Sequence, residues 1–420
     1  MQLLLENLSH STTSLWSPIS GGITTPSGFK ASGIKAGLKT SGKPDLALLL
    51  APEGAVCAGT FTKSFVRAAC IDLCIDRLKA NLGHARAVLI NSGQANACTG
   101  KRGLIDSVRA TDALAELLGV TSEEVLICST GVIGESIPLE TLLLGLERLV
   151  QELSDLGGSA AANAILTTDL VEKQIAYEAY LDGRCVRIGG MAKGSGMIHP
   201  NMATMLGYLS CDVGISSDLW SAMIERVVDR SFNSITVDGD TSTNDAFLAF
   251  AAGSPLPREH LETLEVGLTL TSQYLARAIA RDGEGANCLL EVKILGTETD
   301  SEARIIARTI CSSALVKTAI HGSDPNWGRI VAAAGRAGVY FPQKALSLWI
   351  GSYQLIQDGE PLAFDRTAAS AYMKERKEGA YLRDDSISIC LKVGNGLGVA
   401  TVWGCDLSEE YVHINADYTT

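Results

Sequence analysis

Short apolar runs that end in small polar residues alternate with longer amphipathic segments along this 420-residue chain. The runs RAVLIN (86–91) and EVLIC (124–128) have the length and composition of buried strands. Segments 104–118 and 139–153 carry apolar residues at helical spacing, and the second opens directly after Pro138. No Pro/Ser-rich linker interrupts this alternation, so the sequence predicts one integrated domain that contains both helices and strands.

Several hairpins are predicted beside long helices after residue 170. Asp182-Gly183 is expected to turn a hairpin over 175–186. Segment 304–320 is expected to open as a strand and continue as a helix, and 346–356, 386–393 and 400–404 are predicted to be paired strands. Further helices are predicted over 220–232, 260–280 and 326–337. Hairpins beside long helices are typical of α+β layers rather than of a repeating βαβ sheet.

Composition excludes several classes of function. The formal net charge is -12, and no Lys/Arg run has the density expected of a nucleic-acid-binding surface. No apolar run reaches the roughly 18 residues of a membrane span, and the first residues lack the basic and apolar regions of an export signal. The odd number of cysteines, 11, without a CxxC pair, predicts reduced thiols and a cytoplasmic location. The six histidines form no metal-binding motif.

Two glycine-rich segments superficially match nucleotide-binding loops. Segment 37–44, GLKTSGKP, nearly fits G-x-x-x-x-G-K-[ST], but Pro44 replaces the hydroxyl that holds magnesium, and the sequence predicts neither a preceding strand nor a following helix. Segment 394–398, GNGLG, is followed by another strand signal, so a pyrophosphate there would have no helix N-terminus. A glycine turn is the favoured interpretation of the second segment.

Segment 189–206, GGMAKGSGMIHPNMATML, is the most unusual part of the chain. It follows a strand signal, is rich in small residues, and combines one lysine with hydroxyl groups and few other charges. Taken alone, it predicts a loop that enters an apolar segment with a buried threonine, and such threonines usually bond a backbone carbonyl.

KGSGMIHPNMATML, however, resembles the signature of the ornithine acetyltransferase (glutamate N-acetyltransferase) family of arginine biosynthesis. The resemblance extends from about Gly22 to the last residue. Its other segments are VLINSGQANACTG (88–100), CSTGVIGE (128–135), ILTTD (165–169), FNSITVDGDTSTND (232–245), RDGEGA (281–286), HGSDPNWGR (321–329) and YVHINADYTT (411–420). It implies an α+β fold of the N-terminal-nucleophile, DmpA-like kind, in which helices cover a layered sandwich of two β-sheets.

The family cuts itself within Ala-Thr-Met-Leu, which places the break at Ala203–Thr204. The resemblance thus implies an alpha chain of residues 1–203 and a beta chain of 204–420, which form one integrated catalytic domain and assemble as two heterodimers. Residues 1–20 are a candidate flexible tail. Threonine is a weak nucleophile unless a base lies beside it. Cleavage would give Thr204 a free α-amine, whose ordinary pKa of about 8 suits a base.

The resemblance also implies the roles of the other site residues. Thr130 and Gly131 would stabilise the oxyanion. The substrate contacts would be Thr167, Lys193, Thr204, Glu284, Asn415 and Thr420. Lys193 suits a substrate carboxylate, Glu284 suits the ornithine amine, and the last two contacts require the C-terminal tail to dock.

Some assignments stay open. Thr168 competes with Thr167 as a substrate contact. His199, five residues before Thr204, is an alternative general base. Asp238, Asp240 and Asp245 lack calcium-loop spacing and are expected to be turn residues or to support the site from behind.

The expected activity is ping-pong transfer of acetyl from N2-acetylornithine to glutamate through acetyl-Thr204, without a metal or organic cofactor. Some family members also use acetyl-CoA, and no motif in this sequence decides whether this chain does. The alternative is an N-terminal-nucleophile amidase or aminopeptidase, in which water would resolve the acyl-enzyme. A third interpretation, a non-catalytic protein that kept the fold, requires an uncleaved chain.

Overall fold

The structure is a computed structural model that describes residues 15–199 and 205–417. Its strands are β1 (Ser17–Ile19), β2 (Lys30–Ile34), β3 (Leu46–Leu50), β4 (Val56–Phe61), β5 (Ala87–Gln94), β6 (Val125–Val132), β7 (Lys173–Leu181), β8 (Arg184–Lys193), β9 (Leu206–Gly214), β10 (Ala246–Pro255), β11 (Leu289–Thr297), β12 (Ser347–Ile350), β13 (Tyr353–Gln357), β14 (Glu360–Pro361), β15 (Ser386–Lys392) and β16 (Gly398–Cys405). Its helices are α1 (Ala69–Ala80), α2 (Gly100–Leu118), α3 (Leu139–Gln151), α4 (Gly158–Ala164), α5 (Ser217–Asp229), α6 (Leu261–Arg281), α7 (Asp300–Cys311), α8 (Ala314–His321), α9 (Trp327–Gly335), α10 (Arg366–Lys377) and α11 (Glu409–Ala416).

The described strands form three sheets. Two have six strands, in the orders β1-β7-β8-β9-β10-β4 and β14-β13-β12-β15-β11-β16, and the third has four strands in the order β2-β3-β5-β6. The predicted α+β class is confirmed. Strands β8 and β9 are antiparallel neighbours, and Lys193 at the end of β8 pairs with Leu206 at the start of β9. The two ends of the segment that contains the predicted nucleophile therefore lie side by side, where the central strands β8 and β9 of the β1-β7-β8-β9-β10-β4 sheet end and begin.

Strand β10 shows how the layers pack. Leu248 and Phe250 lie in an apolar core shared with the four-stranded sheet and helices α1 to α4. Phe247 and Ala249 lie in a second core shared with α5 and α6. Because successive side chains of a strand point to opposite faces, the two sheets stack between two helical layers, as the resemblance implied. The remaining six-stranded sheet adds a third core with α7 to α10.

Two predictions about secondary structure in the C-terminal half of the chain were wrong. Segment 304–320 has no strand, because a capping box starts α7: Thr299 Oγ1 accepts from the Glu302 amide, and the Glu302 carboxylate accepts from the Thr299 amide. Among the strands predicted to pair, β12 does pair with β13 and with β15, but β15 and β16 do not pair with each other, because β11 lies between them. Glycines allow this arrangement, since a Cβ on Gly396 would lie 1.9 Å from the carbonyl oxygen of Thr297 at the end of β11.

The loop that resembles a phosphate-binding loop is filled by the chain's own carboxylate. Strand β2 precedes this loop, contrary to expectation, but the next element is strand β3 rather than a helix. The buried Asp45 carboxylate accepts hydrogen bonds from the four successive amides of 36–39 at 2.6–3.1 Å. These amides are therefore not available to a phosphate, which agrees with the sequence-based interpretation.

The structure also bears on the expected N-terminal tail, on the predicted hairpin turn and on membrane spans. The candidate tail is ordered at its inner end, because β1 pairs with β7 and the buried Trp16 indole donates to the Thr263 carbonyl at 2.9 Å. Residues 1–14 lie outside the described part. The hairpin turn at Asp182-Gly183 is confirmed, with both residues at positive φ. No helix within residues 15–199 and 205–417 is both long and apolar enough to cross a membrane.

Candidate active site

A cavity of about 360 Å³ opens where the ends of β6 and β8 meet the start of β9. Its polar lining residues are Thr130, Thr167, Thr168, Lys193, Ser242, Thr243, Asn244, Asp245, Glu284 and Asn415. Gly131 also lines it. The structure thus places every predicted catalytic and substrate-binding residue that it describes around a single cavity. The remaining predicted residues, Ala203, Thr204 and Thr420, lie outside the described residues, although Met205, directly after Thr204, lines the cavity.

Lys193 is the cationic group of the cavity lining, and we call it, together with its contacts Thr130 and Thr167, the cationic end. Lys193 Nζ donates to Thr167 Oγ1 at 2.7 Å and to Thr130 Oγ1 at 3.4 Å. Burial lowers the pKa of Lys193, while the Asp169 carboxylate, 3.7 Å from Nζ, acts in the opposite direction. Thr167 and Thr168 both line the cavity, and the described contact of Lys193 is with Thr167.

The last part of strand β6 requires glycine at position 131. Gly131 has φ of +133°, and a Cβ there would lie 2.2 Å from the backbone of Gly93, its partner in the parallel β5–β6 ladder. Only glycine allows the two strands to run so close together at this point. The Asn244 side chain braces the same strand, because its amide donates to the Ser129 carbonyl at 2.9 Å.

Glu284 is an acidic group of the same cavity, and we call it, together with Asn415, the acidic end. Glu284 follows α6, is largely buried, and accepts from Asn415 Nδ2 at 2.8 Å. Its backbone amide donates to the Ser195 carbonyl at 3.1 Å. A Cβ on Gly196 would lie 2.5 Å from the Glu284 carboxylate, so the glycine of the KGSG motif makes room for this acid.

Helix α11 brings Asn415 to the cavity. Ser408, just before the helix, donates to the Gly285 carbonyl at 2.7 Å. Gly285 has φ of +72°, and a Cβ there would lie 2.6 Å from the Tyr411 amide nitrogen. Helix α11 therefore docks on the turn that carries Glu284, as the predicted role of Asn415 required.

The structure bears on the alternative roles considered for Asp238 and His199. Asp238 accepts the amides of Met197 and Ile198 at 2.6 and 2.9 Å, so it supports the 193–199 loop from behind. His199 does not line the cavity, and its Nδ1 shares a 2.9 Å hydrogen bond with Thr236 Oγ1. Burial, together with the nearby Arg308, lowers the pKa of His199 to about 4. The geometry therefore does not favour His199 as the base.

Sequence reasoning missed three charged residues beneath the cationic end. Asp169 accepts the amides of Gly194 and Thr167 at 2.7 and 3.1 Å, and it forms an ion pair with Lys173. Lys173 also pairs with Asp282. Asp169 and Asp282 lie in ILTTD and RDGEGA, two of the segments that resemble the family, so the sequence did mark their neighbourhoods. No local pattern, however, indicates that these two carboxylates share an ion-pair partner.

Comparisons with known proteins identify the family of this chain. The ArgJ family model matches residues 30–420. The arginine biosynthesis bifunctional protein ArgJ of Prochlorococcus marinus strain MIT 9313 is 68% identical over 98% of this chain and 97% of its own length. The protein of the same name from strain NATL2A is 65% identical over the full length of both.

A solved structure of ornithine acetyltransferase from Mycobacterium tuberculosis, complexed with ornithine, is 40% identical. The match covers 45% of this chain and all of that chain, with a TM-score of 0.42. The family model and the two full-length relatives decide the assignment: the chain belongs to the ArgJ family.

Proposed function

We propose that this chain is an acetyltransferase of arginine biosynthesis that moves acetyl from N2-acetylornithine to glutamate, giving ornithine and N-acetylglutamate. Family membership supports this activity. The observation that carries it is that Lys193 and Glu284, which carry opposite charges, line the same cavity. N-acetylornithine has the complementary charges, an α-carboxylate and a δ-ammonium group. An amidase cleft for peptides would have no need of this paired charge.

The chain first cleaves itself at Ala203–Thr204. The Thr204 hydroxyl attacks the Ala203 carbonyl carbon, the peptide C–N bond breaks, and the resulting ester is hydrolysed by water. The products are residues 1–203 and 204–420, and the second begins with a free amine beside its own hydroxyl. Two copies of each chain assemble in the cytoplasm.

Each turnover has two acyl transfers. The Thr204 hydroxyl attacks the acetyl carbonyl of N2-acetylornithine while its α-amine takes the proton. Thr130 and Gly131 stabilise the oxyanion, and loss of one such donor typically costs about 2.7–4 kcal/mol. The C–N bond then breaks, the proton passes to the leaving amine, and ornithine departs. Glutamate's α-amine attacks the acetyl ester in the same way and restores the Thr204 hydroxyl.

The substrate ends are recognised by different groups. Lys193 binds the α-carboxylate that donor and acceptor share, and Thr167 orients Lys193. Glu284 binds the δ-ammonium of the donor, with Asn415 and Thr420 closing the site from the chain end. The relatives are named bifunctional, and we include acetyl-CoA as a second donor in this proposal.

Denaturing intact mass spectrometry tests the central step. The wild-type protein is expected as two chains that break at Ala203–Thr204, and Thr204→Ala as one uncut chain. Thr204→Ser, which keeps a hydroxyl nucleophile, is the matched control and should still cleave. A single uncut wild-type chain would remove the α-amine from the mechanism and refute the proposal.

A transfer assay on the cleaved protein tests the reaction. N2-acetylornithine and acetyl-CoA are supplied separately with glutamate, and N-acetylglutamate and free acetate are measured. Formation of N-acetylglutamate from the first donor supports the transferase. Release of acetate alone would identify the amidase alternative.

A further inference from the structure

A buried charge network lies beneath the cationic end of the cavity. Lys173 Nζ lies 2.7 Å from Asp169 Oδ1 and 2.6 Å from Asp282 Oδ2. The side chains of Lys173 and Asp169 are fully buried, and that of Asp282 is 3% exposed. Buried ions of this kind persist only where each has a partner.

The network joins three segments that line the cavity. Asp169 accepts hydrogen bonds from two backbone amides. One belongs to Thr167, a predicted substrate contact, and the other to Gly194, which directly follows the predicted contact Lys193. Asp282 accepts the Leu170 amide at 3.1 Å, and its carbonyl accepts from Ser195 Oγ at 2.7 Å. Glu284 follows two residues later. The three loops therefore cannot move independently while the network is intact.

The network also determines the electrostatic surroundings of Lys193. Asp169 Oδ2 lies 3.7 Å from Lys193 Nζ. Glu284 and Asp245 also favour the charged form of Lys193, whereas Lys173 opposes it. A further lysine, Lys39, lies close enough that the charge of Lys193 lowers the pKa of Lys39. Burial and the nearby cation Lys173 both disfavour the charged form of Lys193. Its charge is therefore stabilised mainly by Asp169, the nearest anion.

We propose that Asp169, clamped by Lys173, is a positioning residue that keeps Lys193 protonated and holds its Nζ between Thr130 and Thr167. Asp169 thereby sets the alkaline limit for binding the substrate α-carboxylate. The inference rests on the proposed function only in its last step, the binding of that carboxylate by Lys193. Asp169 itself does not line the cavity.

The main test compares pH profiles of wild type and Asp169→Asn. A carboxylate within about 4–6 Å typically shifts the pKa of a cation by about 1–3 pH units. The alkaline limb of kcat/KM is therefore expected to move to lower pH by about that amount, for N2-acetylornithine and for glutamate alike. The acid limb, which reports the Thr204 α-amine, should stay in place. An unmoved alkaline limb in an active variant would overturn the proposal.

Asp385→Asn is the matched control. Asp385 is also a buried carboxylate in an ion pair, with Arg281 at 2.5 Å, but it does not line the cavity. This substitution should lower the melting temperature without moving either limb. If both variants move the alkaline limb equally, the effect is one of general destabilisation and the positioning role is refuted.

An NMR titration makes the test independent of turnover. The ¹³Cε resonance of Lys193, assigned by its loss in Lys193→Arg, should titrate at lower pH in Asp169→Asn than in wild type. Equal midpoints would refute the inference even if the acetyl transfer is confirmed, and a lower midpoint would support it even if the acetyl transfer is not. If Asp169→Asn does not fold, Lys193→Arg decides: arginine stays charged, so an alkaline limb unchanged from wild type would exclude Lys193 as its origin.

Discussion

The two ends of the cavity are built in different ways. The cationic end is anchored in the interior, because Lys193 contacts Thr130 and Thr167 and rests on the buried Asp169. The acidic end depends on an outer element, since Glu284 bonds Asn415 on α11, a helix with no buried side chain. Segments with few buried contacts open at lower free-energy cost.

This difference matches the proposed division of labour. Donor and acceptor share an α-carboxylate, which a rigid cation can bind in one geometry. Their side chains differ in charge. In the proposal these side chains meet Glu284, whose hydrogen-bond partner Asn415 lies on the loosely packed helix α11. The comparison therefore predicts that changes at the cationic end weaken both substrates equally, and that changes at the acidic end separate them.

The largest effect is expected from Lys193→Met. A hydrogen bond to a charged group contributes about 1.5–3 kcal/mol, and leaving a carboxylate unpaired in a buried site costs more. Since about 1.4 kcal/mol is tenfold, kcat/KM should fall about 100-fold for N2-acetylornithine and for glutamate. Steady-state kinetics measure this, with exposed Lys374→Met as the control. A loss confined to one substrate would contradict the assignment of Lys193 to the shared carboxylate.

A smaller and selective effect is expected from Glu284→Gln. Glutamine keeps the shape and an acceptor for Asn415, but it loses the charge that pairs with the δ-ammonium. We expect kcat/KM for N2-acetylornithine to fall about tenfold, which corresponds to about 1.4 kcal/mol, while the value for glutamate stays the same or rises. The two half-reactions, measured separately by acetyl-enzyme formation and decay, give this ratio. Equal losses in both would break the proposed asymmetry.

The smallest effect is expected from Asn415→Ala. It removes one hydrogen bond from a helix without buried side chains, so a contribution of about 0.5–1.5 kcal/mol predicts a roughly two- to tenfold loss with N2-acetylornithine. The melting temperature should not change. His413→Ala, at an exposed position of the same helix, is the matched control and should keep full activity. If Asn415→Ala were as damaging as Lys193→Met, the acidic end would be no looser than the cationic end.

Sequence periodicity and local motifs predicted much of the secondary structure. The observed strands β5 and β6 and helices α2 and α3 overlap the predicted segments, because each depends on its own apolar spacing and boundary residues. Where two local signals competed, the sequence was harder to interpret. Segment 304–320 was expected to open as a strand, although the Thr299–Glu302 capping box determines a helix there.

The sequence by itself determined which residues to expect together: the family segments predicted Thr130, Gly131, Thr167, Lys193, Glu284 and Asn415 as site residues, and all six line one cavity. Only the tertiary structure decided what lies beneath them and between the strands. Asp169 and Asp282 are more than a hundred residues apart in the chain, and Lys173 joins them. Strand β11 likewise enters between β15 and β16. Local periodicity reports which face of an element is buried, but long-range ion pairs and strand order depend on how all layers pack together, and no single segment encodes that.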